Sequence, residues 1–179
     1  LPIRGLNGEV LTDREATDAE SLVRLPDGSY VVGFEHMHRI DRFREPGGPA
    51  ERYKAPVMLT GSPPNGGPEA LTLLSDGRLL VLSEQLEAKP GIAAGWMGTA
   101  GDWRAVGFRR TGIFVPVGAA TRDDGAVFML ERRFTPIGGV GTRVSIISPE
   151  TIEPGAVFEG RELLQLAAPL VADNFEGIA

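Results

Sequence analysis

The fold is decided by residues 65–84, which read NGGPEALTLLSDGRLLVLSE. Two apolar runs, Ala70–Leu74 and Leu79–Leu82, are joined in it by the tripeptide SDG. Asp-Gly between two apolar runs is a strong hairpin signal, because the turn needs residues that tolerate a positive φ. The stretch therefore predicts a β-hairpin with Glu69 just before its first strand and Glu84 just after its second.

The same pattern occurs twice more along the chain. The turn glycines of all three copies, Gly28, Gly77 and Gly125, are roughly 50 residues apart, a spacing typical of repeated β-sheet units. The first two glycines each have a glutamate eight residues before them and seven residues after them. Gly125 instead has Glu131 six residues after it and Val117 at the leading position.

The composition is that of a globular domain rich in turns. Hydrophobic residues make up 42% of the 179 residues, and 24 glycines and 14 prolines suit short strands better than a helical bundle. The net charge of −6 argues against nucleic acid as a partner. No apolar run approaches the ~18 residues that a membrane-spanning helix needs. The absence of cysteine excludes disulfides and thiolate chemistry.

Sets of about four short strands, repeated every ~40–50 residues, are typical of β-propellers. We therefore predict an all-β fold, a β-propeller of four-stranded antiparallel blades with about three complete repeats visible. Residues 1–179 are expected to form a single domain with repeats near 18–60, 67–115 and 117–166, and a next repeat starting at 173. Since a propeller needs at least about four blades to close, we expect the chain to lack both ends of the domain.

Four groups of residues, in order over nearly the whole chain, form a combined signature. They are DAE at 18–20 with FE at 34–35 and HRI at 38–40, NGGPEAL at 65–71 with SE at 83–84, LERRF at 130–134, and DNFEG at 173–177. Together they resemble the phytase-like propeller family, often labelled "esterase-like activity of phytase". The resemblance implies a six-bladed propeller and a periplasmic or secreted protein whose leader peptide is not part of this sequence.

The resemblance also implies an activity. Alkaline phytases are calcium-dependent phosphomonoesterases on a six-bladed propeller, with acidic residues at one end of the channel. We therefore expect a secreted, metal-dependent hydrolase that acts on a small-molecule phosphoester or another ester. Ca²⁺ is the expected cofactor, ahead of Mg²⁺.

The glutamates that recur at strand ends are the leading candidates for the site. Equivalent positions of successive blades converge on a propeller axis, so a ring of carboxylates is expected there. Such a ring would repel itself unless a cation lay among its members. Oxygen ligands without cysteine suit Ca²⁺ or Mg²⁺, and a bound metal can polarise a phosphate or activate water. The predicted metal ligands are Glu20, Glu35, Glu69, Glu131, Glu176 and Asp173.

Catalytic and substrate-binding roles are predicted for a second set of side chains. Glu69 and Glu84 are the candidate catalytic carboxylates, and His38 is a candidate acid or base with Asp41 nearby. The predicted substrate-binding residues are Arg39, Arg132 and Asn65, because arginine suits bidentate recognition of phosphate or carboxylate. The alternatives are structural: the glutamates cap backbone N–H groups or pair with arginine, and His38 stabilises a turn.

Two other functions remain open from the sequence. One is a lactonase or carboxylic-ester hydrolase with a single central Ca²⁺, and the other is a non-catalytic, ligand-binding propeller. The low lysine content, Lys54 and Lys89 only, favours these two slightly over a phosphoesterase. A binding propeller predicts carboxylates already paired with arginine. No Gly-x-Ser-x-Gly motif occurs, so a lipase-type serine esterase is not supported.

Overall fold

The computed structural model describes residues 2–167, 170, 173–175 and 177–179. Two short 3-10 helices, Val57–Gly61 and Pro149–Thr151, interrupt the strands. No helix among the described residues is long and apolar enough to cross a membrane. The strands are β1 Ala19–Arg24, β2 Tyr30–Phe34, β3 Arg39–Phe43, β4 Ala50–Arg52, β5 Pro68–Leu73, β6 Leu79–Lys89, β7 Ile92–Thr99, β8 Asp102–Arg109, β9 Val115–Thr121, β10 Val127–Thr135, β11 Gly139–Ile147, β12 Val157–Phe158 and β13 Arg161–Leu166.

The strands form three sheets. Sheet 1 has the order β1-β2-β3-β4, sheet 2 the order β5-β6-β7-β8-β12, and sheet 3 the order β9-β10-β11-β13. Each sheet is antiparallel, except that the short β12 pairs with β8 in parallel. The prediction of an all-β fold with antiparallel sheets of about four strands is therefore confirmed.

The first two strands of each sheet are joined by the same kind of turn, which contains an Asp-Gly pair. Gly28, Gly77 and Gly125 have φ values of 85°, 85° and 88°, the left-handed region that favours glycine. The aspartate before each glycine accepts a hydrogen bond from the backbone N–H two residues further on. The local sequence thus fixes the turn, and the turn fixes which residues of the two flanking strands face each other.

The core lies between neighbouring sheets. Strand β5 packs against β1 on one side and against β9 on the other, so the first strands of the three sheets lie next to one another. Successive residues of a strand point to opposite faces. In β6, Leu79 and Val81 therefore join the core with sheet 1, whereas Leu80 and Leu82 join the core with sheet 3. Burial on both faces explains the continuous apolar run of this strand.

A β-bulge occurs at the same place in the first strand of each sheet. The pairing register skips Glu20 in β1, Glu69 in β5 and Val117 in β9. All three lie eight residues before the turn glycine. A bulge inserts an extra residue and redirects its side chain. The leading glutamates of the repeats are therefore placed by a distortion that the fold repeats.

Candidate functional site

Three glutamates and one arginine meet where sheets 1, 2 and 3 adjoin. Glu35, Glu69 and Glu84 are each less than a tenth exposed. Glu69 hydrogen-bonds to Glu84 and is close enough to Glu35 and Arg132 for their charges to act on it. We call these four residues the carboxylate cluster. The structure thus brings together three of the predicted carboxylates and one of the predicted arginines.

Glu35 reaches the cluster from the end of β2. Its backbone N–H donates to the Asp18 carbonyl oxygen at 2.9 Å, which continues the pairing of β1 with β2 by one residue. Its carboxylate lies 3.5 Å from the backbone nitrogen of Gly67, in the loop before β5. A Cβ at Gly67 would lie 3.1 Å from the Glu35 Cα. A larger residue at this position would press against Glu35, so glycine suits this close approach of the two backbones.

Glu84 and Arg132 form the charged pair of the cluster. An Arg132 Nη2 donates to Glu84 Oε1 at 2.9 Å, and its Nη1 donates to the Asn174 side chain at 2.6 Å. Arg132 lies seven residues after its turn glycine, as Glu35 and Glu84 do after theirs. The third repeat therefore places a cation where the first two place an anion.

The electrostatics of the cluster keep a proton on Glu69. Burial, the hydrogen bond and charge of Glu84, and the charge of Glu35 together raise the pKa of Glu69 to about 9, although Arg132 acts against them. A pKa of about 9 favours the protonated form of Glu69 at neutral pH, and in this form Glu69 can donate a hydrogen bond to Glu84. A carboxyl with a raised pKa next to a second carboxyl is a combination that general acid–base catalysis uses.

The cluster opens onto a cleft of about 830 Å³. Glu69 lines this cleft together with Glu20, the bulged residue of sheet 1. The first strands β1, β5 and β9 all contribute to its walls, and residues 177–179 close one side. Glu20 thus faces the same space as Glu69, and a molecule in the cleft would meet both side chains.

Glu131 does not join the carboxylate cluster. It is fully buried, and its carboxylate accepts hydrogen bonds from Arg143 at 3.2 Å and from Ser145 at 2.8 Å. Glu131 lies six residues after the turn glycine and Arg132 seven. Because neighbouring strand residues point to opposite faces, Glu131 points away from the contacts that Arg132 makes. Burial raises the pKa of Glu131, while Ser145 and Arg143 act in the opposite direction.

Arg39 is held by structural contacts. Its Nε donates to Asp41 at 2.7 Å, its Nη2 donates to the Ala16 carbonyl oxygen, and its guanidinium stacks on the Phe34 ring at 3.7 Å. None of its described contacts is with the carboxylate cluster. Asp41 is itself buried and also pairs with Arg52 at 3.1 Å.

His38 and Asn65 act on the loop that leads into β5. The His38 Nε2 atom is hydrogen-bonded to the Pro63 carbonyl oxygen at 2.9 Å. Asn65 is exposed, and its backbone oxygen accepts a hydrogen bond from the Gln85 side chain. Both contacts hold the loop whose next residues, Gly66 and Gly67, approach the cluster.

The predicted residues near the end of the chain are only partly described. Asp173 is exposed, and its side chain accepts a hydrogen bond from the Asn174 backbone at 2.8 Å. It neighbours the cluster through Asn174, the partner of Arg132. Glu176 lies outside the described residues.

The sequence prediction missed one group beside the cluster. One side-chain atom each of Asp18, Glu35 and His36 lie within 4.8 Å of one another. His36 Nε2 is 3.3 Å from the Asp18 carboxylate, and its Nδ1 is 3.0 Å from the Pro64 carbonyl oxygen. His36 also has a φ of 52°, unusual for a residue other than glycine. The pairing of β1 with β2 brings Asp18 and Glu35 together, which no spacing in one repeat indicates.

Comparisons with solved structures show similarity at the level of the fold. Selenomethionine-substituted virginiamycin B lyase from Staphylococcus aureus has a TM-score of 0.51 and 16% identity, covering 95% of this chain and 62% of that one. The Hadza microbial sialidase Hz136 has a TM-score of 0.50 and 11% identity, covering 88% of this chain and 40% of that one. The chain thus spans less than two thirds of either protein.

Comparisons of sequence give the family. No curated protein matches this chain. The family model described as "Phytase-like: Esterase-like activity of phytase" matches residues 1–179, the whole chain. The resemblance predicted from the repeated glutamate motifs is thereby confirmed. The chain belongs to the phytase-like family.

Proposed function

We propose that this protein is a hydrolase of phosphoesters or other esters, and that the carboxylate cluster is its catalytic centre. The observation that carries the proposal is the contact of the buried Glu69 carboxyl, whose pKa is raised, with the Glu84 carboxyl beside an accessible cleft. Family membership supports hydrolysis, since the family is described by an esterase-like activity. Fold alone does not decide function, so the proposal rests on the cluster.

The two carboxyls suffice for one turnover of hydrolysis. Water attacks the carbonyl carbon or phosphorus of the ester while the Glu84 carboxylate accepts a proton from that water. Glu69 donates its proton to the leaving oxygen as the bond between this oxygen and the attacked atom breaks. The proton on Glu84 then passes to Glu69 through the hydrogen bond that joins them, which restores the starting state. Arg132 holds Glu84 in place throughout.

The residues of the cluster also fit Ca²⁺, the cofactor that we propose. All its donors are oxygens, and three carboxylates face a single guanidinium, so the cluster has an excess of negative charge. The raised pKa of Glu69 has the same cause, because a proton supplies the positive charge that the cluster lacks. Glu35, Glu69 and Glu84 would hold the ion in place of the Glu69 proton, so Glu69 would then be ionised and the ion would take over its role of stabilising the leaving oxygen, with Glu20 facing the same cleft. A bound Ca²⁺ would polarise the ester group.

The proposed setting of the site is a six-bladed propeller in a periplasmic or secreted protein. Adjacent first strands in successive sheets support a propeller, as does the similarity to two solved structures of propeller type. Each of the three sheets would be one blade, and the carboxylate cluster would lie beside the axis. The proposed periplasmic or secreted location of the protein is based on the family resemblance.

A second candidate function is supported by the ion pairs. Glu84 pairs with Arg132, and Glu131 pairs with Arg143. Carboxylates already paired with arginine are what a non-catalytic, ligand-binding propeller predicts. Glu69 distinguishes the two candidates, because its hydrogen-bond partner is another carboxyl rather than an arginine.

The variants Glu69→Gln and Glu84→Gln test the proposed function. Each is expected to lower kcat at least ~100-fold, because general acid–base groups typically contribute that much or more. Hydrolysis of 1-naphthyl phosphate and of 1-naphthyl butyrate is measured with chelator-treated protein, with and without added Ca²⁺. We expect activity with Ca²⁺ and a much lower activity with Mg²⁺.

Glu51→Gln is the control, since Glu51 is a partly exposed residue paired with Arg44 on sheet 1. It should retain the activity of the parent protein. If the folded parent hydrolyses neither ester, or if the Glu69 and Glu84 variants are as active as the control, the hydrolase proposal is wrong and the binding propeller is favoured.

A further inference from the structure

We propose that Ser83 and Gln85 are positioning residues for Glu84, the residue that lies between them in the sequence. They tie it from both sides to the loop of residues 63–67, which we call the 63–67 loop. This inference rests on the proposed function, because it assigns the groups that keep one of the two catalytic carboxyls in place. Neither Ser83 nor Gln85 is among the described residues that line the cleft beside Glu69, so neither is assigned a contact with the substrate.

Glu84 lies in a part of β6 whose position the neighbouring strand β7 does not fix. Leu82 of β6 pairs with Gly95 of β7. The next pair of the two strands is Glu87 with Ala93, so several residues of β6 face a single residue of β7. This large bulge contains Glu84. Because a bulge interrupts the ladder of backbone hydrogen bonds, other contacts must set the position of the Glu84 carboxyl.

The Ser83 hydroxyl joins this bulge to the 63–67 loop. Ser83 is fully buried, and its Oγ donates a hydrogen bond to the Gly66 carbonyl oxygen at 2.6 Å. The same Oγ accepts a hydrogen bond from the Leu86 backbone N–H at 3.0 Å, on the far side of the bulge. A single hydroxyl therefore closes the bulge around Glu84 and fastens it to the loop.

The Gln85 side chain makes the matching contact on the other side of Glu84. Its Nε2 donates to the Asn65 carbonyl oxygen at 2.5 Å and to Glu84 Oε2 at 3.3 Å. Arg132 donates to the other oxygen of the same carboxyl, Glu84 Oε1. Both oxygens of Glu84 and the main chain on both sides of it are thus restrained.

The 63–67 loop can serve as an anchor because it is also fixed to sheet 1. The His38 Nε2 atom lies 2.9 Å from the Pro63 carbonyl oxygen, and the His36 Nδ1 atom lies 3.0 Å from that of Pro64. Four successive carbonyl oxygens of the loop are therefore hydrogen-bonded to side chains, two from sheet 1 and two from sheet 2. Because a displacement of reacting groups by about 1 Å can lower a rate about 100-fold, such restraint suits a catalytic carboxyl.

The variant Ser83→Ala removes the hydroxyl and tests the inference by steady-state kinetics. With whichever naphthyl ester the parent protein hydrolyses, kcat should fall at least ~10-fold, because Glu84 is no longer held in place. KM should change less than ~2-fold, since interactions with the substrate in its ground state are untouched. The variant Gln85→Met should lower kcat at least ~3-fold by the same mechanism. Gln85 is exposed, so this variant provides the kinetic and exchange measurements if Ser83→Ala does not fold.

Ser29→Ala is the matched control. Ser29 is also buried, and its Oγ likewise donates one hydrogen bond, to Asp27 at 2.6 Å, and accepts one, from Arg42 at 2.9 Å. It lies just before β2, whereas the carboxylate cluster is reached from the end of that strand. Ser29→Ala should lower stability in urea as Ser83→Ala does, and it should leave kcat unchanged. A loss of kcat in Ser83→Ala alone then indicates positioning rather than a general loss of stability.

Amide hydrogen exchange measures the same restraint without any substrate. The Gly66 and His36 backbone N–H groups each donate to a carbonyl oxygen of the 63–67 loop, at 2.9 Å and 3.2 Å. In Ser83→Ala both amides should exchange at least ~10-fold faster than in the parent protein, because the loop has lost its fastening to sheet 2. Both exchange rates should stay unchanged in Ser29→Ala.

The outcomes separate this inference from the proposed function. If Ser83→Ala keeps the kcat of the parent protein, or if Ser29→Ala loses as much kcat, the inference is wrong while the hydrolase stands. If the parent protein hydrolyses neither ester, the hydrolase proposal is wrong, and the exchange rates alone decide the inference. Unchanged exchange in Ser83→Ala would then overturn it, whereas faster exchange at both amides would support it.

Discussion

Replacing Glu69 with glutamine is expected to raise the free energy of unfolding at pH 8–9 and to change it little at pH 4–5. The folded state raises the pKa of Glu69 from its ordinary value of 4.5 to about 9. A group whose pKa is higher in the folded state stabilises the folded protein fully below the pKa that it has in the unfolded state. This stabilisation is lost as the pH rises through the pKa of the folded state. Between the two values the parent protein should lose about 1.4 kcal/mol per pH unit.

Glutamine avoids this loss because it is neutral at every pH and retains a donor for Glu84. The difference in the free energy of unfolding between variant and parent should therefore grow from near zero at pH 4.5 as the pH rises towards 9, by the same linkage. Urea unfolding at steps of half a pH unit measures this difference in the free energy of unfolding, with the partly exposed Glu51→Gln variant as the control. Curves for Glu69→Gln and the parent that run parallel across this range would show that Glu69 ionises normally in the folded protein.

Replacing Arg143 with methionine is expected to destabilise the protein by about 3–5 kcal/mol at pH 7, the range for removing one partner of a buried ion pair. Glu131 is fully buried, and Arg143 is its charged partner at 3.2 Å. Without the guanidinium, only Ser145 would compensate the Glu131 charge. Burial already raises the pKa of Glu131. The stability lost on replacing Arg143 should therefore be smaller at low pH, where Glu131 is protonated in both the folded and the unfolded state.

The double variant Glu131→Gln with Arg143→Met is the matched control. It removes both charges, and glutamine keeps a polar group for Ser145, so most of the lost stability should return. Urea unfolding of the parent, the single variant and the double variant gives the comparison. A single variant within 1 kcal/mol of the parent, or a double variant no better than the single one, would contradict a structural role for this pair.

The sheets were predictable because their signals are local. Asp-Gly turns at Gly28, Gly77 and Gly125 are followed by apolar runs, and each run is long enough to identify a strand. The parallel pairing of β12 with β8 has no such signal. It joins Val157 to Gly107 across the third repeat, and a two-residue strand has no periodicity to detect.

The cluster was only partly predictable, because the place of each member depends on which face of its strand it occupies and on the β-bulges. Glu131 looked equivalent to Glu35 and Glu84, yet it lies one residue closer to its turn glycine. One residue of offset reverses the face of a strand, so Arg132 takes the position instead. A strict count from the glycine would have identified Arg132 as the third member.

The bulges themselves carry no sequence signal that could be read in advance. The bulged residues are glutamate in two sheets, Glu20 and Glu69, and valine in the third, Val117, so all three share only their distance from the turn. Likewise, Asp18 and His36 meet because of the pairing of β1 with β2 and the positive φ of His36. Their contact depends on tertiary geometry rather than on residue type.

The central claim is that Glu69 holds a proton that it shares with Glu84, and carbon-13 NMR of the glutamate side-chain carboxyls tests it most directly. Uniformly labelled protein is titrated from pH 4 to pH 10, and the Glu69 resonance is assigned by its absence in Glu69→Gln. The account predicts a carboxyl that keeps the chemical shift of the protonated form at pH 7 and titrates near pH 9. A Glu69 resonance that titrates between pH 4 and pH 5 would contradict it.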